Sequence, residues 1–120
     1  MIGMHVKIEG DKEIQRKIAE LASKFPDKLR GVISKSVLVV EGRAKKTVPV
    51  LTGRLRASIT NEVKKEGDGY MGKVGTTVEY APYVEFGTKR SRAKPYLFPA
   101  MKESKGDIIR FLNNAIKAVK

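Results

Sequence analysis

The chain has 120 residues, with 25 lysine and arginine side chains against 13 aspartate and glutamate side chains, for a formal net charge of +12. It has no cysteine, which excludes disulfides, thiolate metal sites and cysteine nucleophiles. It has a single histidine, which disfavours a catalytic triad and a histidine-rich zinc site. We therefore expect one domain over residues 1–120, with a modest core and an anionic partner or surroundings.

The N-terminal third has the apolar spacing of amphipathic helices. Apolar residues recur at intervals of three and four between positions 14 and 44, after a terminus that we expect to be flexible around His5. Pro26 interrupts the pattern, because proline suits the first turn of a helix and disfavours helical geometry in the residue before it. The pattern predicts helices near 11–24 and 26–46, either separate or joined as one kinked helix. The apolar run at 37–40 predicts burial of the second helix on more than one side.

A small antiparallel sheet is predicted in the middle of the chain. Residues 58–65 and 70–78 have the composition of strands, and the sequence EGDG between them is a turn signal. Residues 80–86 are predicted as a further short strand, at an edge or a bulge because they contain Pro82.

The C-terminal part of the chain is predicted to be a closing helix. Met101, Ser104, Ile108 and Leu112 lie at helical spacing, and residues 95–100 are expected to begin the helix and return the chain to the core. The predicted fold is thus α+β, with N-terminal helices, a small antiparallel sheet, a long mobile basic loop and a C-terminal helix.

Two groups of cations are candidate functional sites. The basic loop, residues 87–94, can reach phosphates if it is mobile. With the carboxylate that precedes it, its candidate residues are Glu85, Gly87, Thr88, Lys89, Arg90, Arg92 and Lys94. A second basic group, from a stretch without acidic side chains, comprises Arg43, Lys45, Lys46, Arg54 and Arg56. If both groups lie on one face, they form a surface suited to a nucleic-acid backbone.

Several of these residues also have simpler interpretations. Glu85 either pairs with a lysine of its own chain or positions the loop against a neighbouring subunit, and Gly87 supplies a tight turn in either case. The aromatic residues do not alternate with the cations as a base-stacking platform requires, so we expect them to pack in the interior. They are Tyr80, Tyr83, Phe86, Tyr96 and Phe98.

The sequence offers little for catalysis or for a membrane. It has no P-loop and no G-x-G-x-x-G, and the carboxylates Glu79 and Glu85 are better explained by ion pairing and solvent exposure than by a catalytic pair. We expect no enzyme activity, no catalytic residue, no cofactor and no metal. The absence of a signal-peptide h-region and of a long apolar run also predicts no membrane partner.

Three segments, in order, resemble a family of tailed-bacteriophage neck proteins, known as head–tail joining, tail-completion or minor tail proteins. They are PVLTGRLRASI (49–59), VGTTVEYAPYVEFGT (74–88) and AKPYLFPAM (93–101). The corresponding patterns are TG-x-L-x-x-S-I, Y-A-x-Y-V-E-x-G-T and P-[FY]-L-x-P-A. This chain departs from the family at Leu51, where an acidic residue is common, and at Tyr96, where phenylalanine is commoner.

The resemblance implies a structural role in the virion. It implies assembly as a ring at the head–tail junction around the DNA channel, with other neck, connector or tail proteins as partners and non-specific contact with packaged DNA. The expected location is the virion, with the bacterial host cytoplasm as the place of assembly. On this interpretation the basic loop is loose in the free subunit and becomes ordered against a neighbour or the channel. A stand-alone basic nucleic-acid-binding module is the alternative.

Overall fold

The computed structural model describes residues 4–7, 12–49, 53–67 and 69–118. The elements in chain order are β1 (Met4–Lys7), α1 (Lys12–Lys24), α2 (Pro26–Thr47), α3 (Arg54–Ser58), β2 (Thr60–Glu66), β3 (Gly69–Thr76), α4 (Ala81–Phe86) and α5 (Leu97–Ala118). The predicted α+β class, with helices before a small antiparallel sheet and a closing helix, is confirmed.

The two N-terminal helices are separate. Phe25 stands between them in a non-helical conformation (φ −143°, ψ 71°), and Pro26 opens α2, where its missing N–H costs no helical hydrogen bond. The buried residues of α2 follow helical spacing and include Leu29, Ile33 and Val40. The helix α2 packs against both α5 and the sheet. Within the apolar run at 37–40, however, Val37 and Val40 are buried whereas Leu38 is 59% exposed.

The sheet has three strands in the order β1-β3-β2, with both pairs antiparallel. The predicted hairpin of β2 and β3 is confirmed, with Thr60 opposite Gly75 and Glu66 opposite Gly69. β1 was not predicted. It pairs with the other edge of β3, so that the backbone near the N-terminus, including that of His5, belongs to the sheet.

The prediction of a strand at residues 80–86 is wrong, because Ala81–Phe86 is the helix α4. Pro82 lies in its first turn, a position that tolerates proline in a helix, and not at a strand edge. Ala81 and Glu85, four residues apart, share the buried face of α4, whereas Tyr83 and Phe86 are exposed.

The helices α2 and α5 run antiparallel, as shown by contacts of Lys35 with Phe111 and of Arg43 with Ser104. The end of α2 therefore lies beside the start of α5, together with α3, α4 and the basic loop. We call this part of the elongated molecule, which measures 53 × 23 × 22 Å, the loop end. No helix in the described part of the chain is long and apolar enough to cross a membrane.

Candidate interaction surface at the loop end

Glu85 joins α4 to the beginning of α5. Its side chain is buried, with 2% of the residue exposed, and one carboxylate oxygen accepts the backbone N–H groups of Tyr96 (3.0 Å) and Leu97 (2.9 Å). The other oxygen accepts the N–H of Phe98 at 3.3 Å. These donors lie at the start of α5 and have no partner within the helix, and the helix dipole favours a negative charge there. Glu85 thus caps α5 from a different helix.

This geometry changes the interpretation of Glu85 as a site residue. Within the described residues it has neither a lysine nor an arginine partner, and its burial keeps it from facing DNA or a neighbouring subunit. Its effect on the basic loop is indirect, because the cap fixes the residues that follow the loop. Tyr96, packed beside it, is also buried, and burial, followed by the nearby charge of Glu85, raises the pKa of Tyr96 to about 12.

The basic loop is closed by its own backbone. The N–H of Thr88 donates to the Ser91 carbonyl at 2.9 Å, and the N–H of Lys94 donates to the Val84 carbonyl at 2.8 Å. Gly87 has a φ of +80°, and a Cβ there would lie 2.7 Å from the Ala93 nitrogen. Only glycine fits this position without strain, so Gly87 has the turn role that the sequence indicated.

Thr88 is a turn residue as well. Its hydroxyl oxygen accepts the backbone N–H groups of Arg90 (3.2 Å) and Ser91 (3.0 Å), which stabilises the turn. The loop therefore presents its cations from a hydrogen-bonded frame. The four loop cations are all exposed; they are Lys89, Arg90, Arg92 and Lys94.

Three aromatic side chains beside the loop are exposed, against the expectation that they pack in the interior. The exposed fractions are 62% for Tyr83, 63% for Phe86 and 50% for Phe98. The rings of Phe86 and Phe98 are in contact, with centroids 5.8 Å apart, and Tyr83 lies three residues before Phe86 on α4. We call these three residues the aromatic patch. For Tyr83 and Phe86 the prediction failed because Ala81–Phe86 is a helix with one buried face. Phe98 lies in the first turn of α5, against Phe86.

An apolar cavity of about 280 Å³ opens next to the aromatic patch. Its wall joins the end of α2, α3, α4 and the basic loop, and is formed by Pro49, Leu55, Tyr80, Tyr83, Val84, Thr88, Ser91, Arg92 and Lys94. Tyr83 belongs to both the patch and the cavity wall, and two of the four loop cations stand at the rim. The loop end thus combines exposed apolar area, a small cavity and positive charge.

The second basic group does not form one free surface. Arg43 is an ion-pair partner of Asp107 and donates to the Ser104 hydroxyl at 2.8 Å, so it joins α2 to α5. The hydrogen bond from Arg43 is the main cause of the lowered pKa of Asp107. Lys45 pairs with Glu41 at 3.5 Å. These two cations therefore have internal partners.

The remaining three cations are Arg54, Lys46 and Arg56. Arg54, on α3, pairs with Glu79 at 3.3 Å and lies over the Tyr80 ring at 5.5 Å from its centroid. The backbone hydrogen bond of Glu79, followed by that from Arg54, lowers the Glu79 pKa. Lys46 and Arg56 are exposed. No group of three histidine or carboxylate side chains in the described ranges is placed to hold a metal.

Comparison with known families identifies the chain. Residues 12–87, more than half of it, match a family model described as "Bacteriophage HK97-gp10, putative tail-component". The chain belongs to this family. The match includes α1 to α4 and ends at Gly87, so the four loop cations and α5 lie beyond it. No curated protein and no solved structure matches the chain. The family resemblance that the three sequence segments indicated is confirmed.

Proposed function

We propose that this phage tail-component family member is a structural protein of the virion at the head–tail junction, where it assembles as a ring around the DNA channel. The family match over residues 12–87 carries the proposal, because it assigns the chain to tail components. A non-catalytic role accords with the loop end, where the cavity is mostly apolar and the buried carboxylate of Glu85 accepts backbone N–H groups.

One feature of the chain favours a position beside DNA, and another favours a contact with a second protein. The formal net charge of +12 suits a protein that works beside packaged DNA. The exposed aromatic patch lies at one end of an elongated molecule, and an apolar surface of this kind marks a contact with another protein. A ring also requires contacts between unlike surfaces of successive subunits.

The decisive experiment deletes the gene from a phage that carries it and examines the lysate by electron microscopy. A role at the junction predicts DNA-filled heads and complete tails that fail to join, with joining restored when the intact chain is supplied. Lysates that lack tails, or that contain only empty heads, would place the protein elsewhere in assembly and refute the junction role.

The alternative, a stand-alone nucleic-acid-binding module, is favoured by the four exposed loop cations. It predicts that the purified monomer binds a short DNA duplex tightly and that the affinity falls steeply with salt, because cations that contact phosphates release counterions. Light scattering with and without the duplex, at low and at high salt, separates the two functions. A ring-sized species, or a monomer indifferent to DNA, supports the structural role.

A further inference from the structure

The loop end combines two recognition chemistries within one surface. The aromatic patch and the cavity are apolar, whereas the four loop cations beside them are exposed and positive. A duplex DNA backbone would engage the cations but would leave the patch and the cavity without a partner. An occupant that satisfies both must carry apolar groups together with negative charge.

We infer that this surface docks a protein segment in which an apolar side chain, flanked by aspartate or glutamate, enters the cavity while its carboxylates face the loop cations. The cavity volume of about 280 Å³ is near the lower limit of the ~300–1,000 Å³ that binds drug-sized ligands, which suits one large side chain. Aromatic anchors in pockets supply most of the affinity of protein interfaces, and rim charges supply specificity and fast association.

Charge complementarity favours an acidic partner protein over a second copy of this chain. Self-docking at this surface would require another copy to present an apolar side chain flanked by carboxylates that are free to face the loop cations. The exposed carboxylates Glu62 and Glu66 of β2 flank Lys64 and Lys65, and the exposed Glu79 pairs with Arg54. The inference rests on the proposed structural role only in assigning the segment to another virion protein.

The frame of the surface is fixed before binding, which lowers the entropic cost of docking. The Glu85 cap fixes the start of α5, including Phe98, and the turn at Gly87 and Thr88 holds the loop against α4. Backbone hydrogen bonds thus fix the conformation of the loop, which does not need to fold when it binds its partner.

Nitrogen–proton NMR titration of the intact chain tests the inference with three probes. The first is a short acidic peptide with one central phenylalanine, the second replaces that phenylalanine with serine, and the third is a single-stranded thymidine oligonucleotide. We expect the phenylalanine peptide to shift the signals of Leu55, Val84 and Ser91, and to bind about tenfold more tightly than the serine peptide.

Two double variants, each with a control variant, separate the contribution of the aromatic patch to peptide binding from that of the loop cations. The double variant Phe86→Ser with Phe98→Ser should weaken binding of the phenylalanine peptide, whereas Leu38→Ser, at a residue that is 59% exposed on α2, should leave it unchanged. The double variant Arg92→Ser with Lys94→Ser should also weaken binding and reduce its salt dependence, whereas Lys64→Ser with Lys65→Ser should not. All seven positions are exposed, so the fold should persist.

Three results would overturn the inference: equal affinity for the two peptides, tighter binding of the oligonucleotide at the same residues, or shifts away from the cavity. Because binding is measured on the purified chain, it can fail while the deletion phenotype of the proposed function holds. Conversely, confirmed docking in a protein whose deletion leaves particles joined would refute the junction role and retain the docking site.

Discussion

The cap that Glu85 provides predicts a large loss of stability when its carboxylate is removed. Glu85→Ala leaves the N–H groups of Tyr96 and Leu97 buried without an acceptor, whereas that of Phe98 lies at a half-exposed residue where water can replace the carboxylate. Each buried unsatisfied donor costs about 1–3 kcal/mol, so the two together should lower the free energy of unfolding by about 2–6 kcal/mol.

Glu85→Gln should cost less, about 1–2 kcal/mol, because its remaining oxygen can still accept the N–H groups of Tyr96 and Leu97. The charge at the helix N-terminus is lost, and the amide NH2 group replaces the oxygen that accepts the Phe98 N–H, so two donors face each other there. Glu103→Ala removes an exposed carboxylate from the same helix and should change the free energy of unfolding by no more than about 0.5 kcal/mol.

Urea unfolding of the three variants, followed by far-UV circular dichroism, measures these differences. If Glu85→Ala prevents folding, Glu85→Gln still tests the cap, because it should retain a cooperative transition at a lower urea midpoint. A loss below about 1 kcal/mol for Glu85→Ala would show that the carboxylate does not hold α5 and would refute the reasoning.

Three further predictions concern the loop and Tyr96. Gly87→Ala should destabilise the fold by about 1–3 kcal/mol in urea unfolding, since φ is +80° and the loop backbone blocks a Cβ, whereas Gly42→Ala, in open space on α2, should be neutral or stabilising. Burial keeps the Tyr96 hydroxyl protonated above its unfolded pKa of 10.0, so the stability that it contributes is present below pH 10 and is lost as the pH rises to about 12. The free energy of unfolding, measured between pH 10 and pH 12, should therefore fall less steeply in Tyr96→Phe than in the unchanged chain. Equal slopes would contradict the raised pKa. Replacing the four loop cations with serine should shift the free energy of unfolding by no more than about 0.5 kcal/mol per site, and a collapse of the thermal transition would show that the cations support the core.

The elements that could be predicted from sequence are those whose own residues show a repeated apolar spacing or a clear start or turn sequence. The helix α2 is long enough to repeat its apolar spacing several times, Pro26 marks its start, and a turn sequence separates β2 from β3. β1 has four residues and is defined by its backbone pairing with β3, about seventy residues along the chain. A strand of that length has too few side chains to show a period of two.

The same limit explains the errors at the candidate site. α4 has six residues, rich in aromatic and branched types that favour strands, and the spacing of Ala81 and Glu85 was the only helical signal. The burial of Glu85 could not be read from its neighbours in sequence, because its partners are backbone donors 11 to 13 residues further along the chain. The exposure of Phe86 follows from the same helical geometry and was missed with it.

The positions of the aromatic patch within the family patterns suggest how one frame can serve different partners. Three residues that hold the loop end together are specified positions of those patterns: Glu85 caps α5, Gly87 closes the turn, and Tyr96 is buried. Of the aromatic patch, Tyr83 is a specified position, whereas Phe86 and Phe98 occupy unspecified positions and are exposed and in contact with each other. Substitutions there would change the docking surface without removing a cap, a turn or a core side chain. The physical separation of frame and surface allows partner specificity to change while the fold of the loop end is retained.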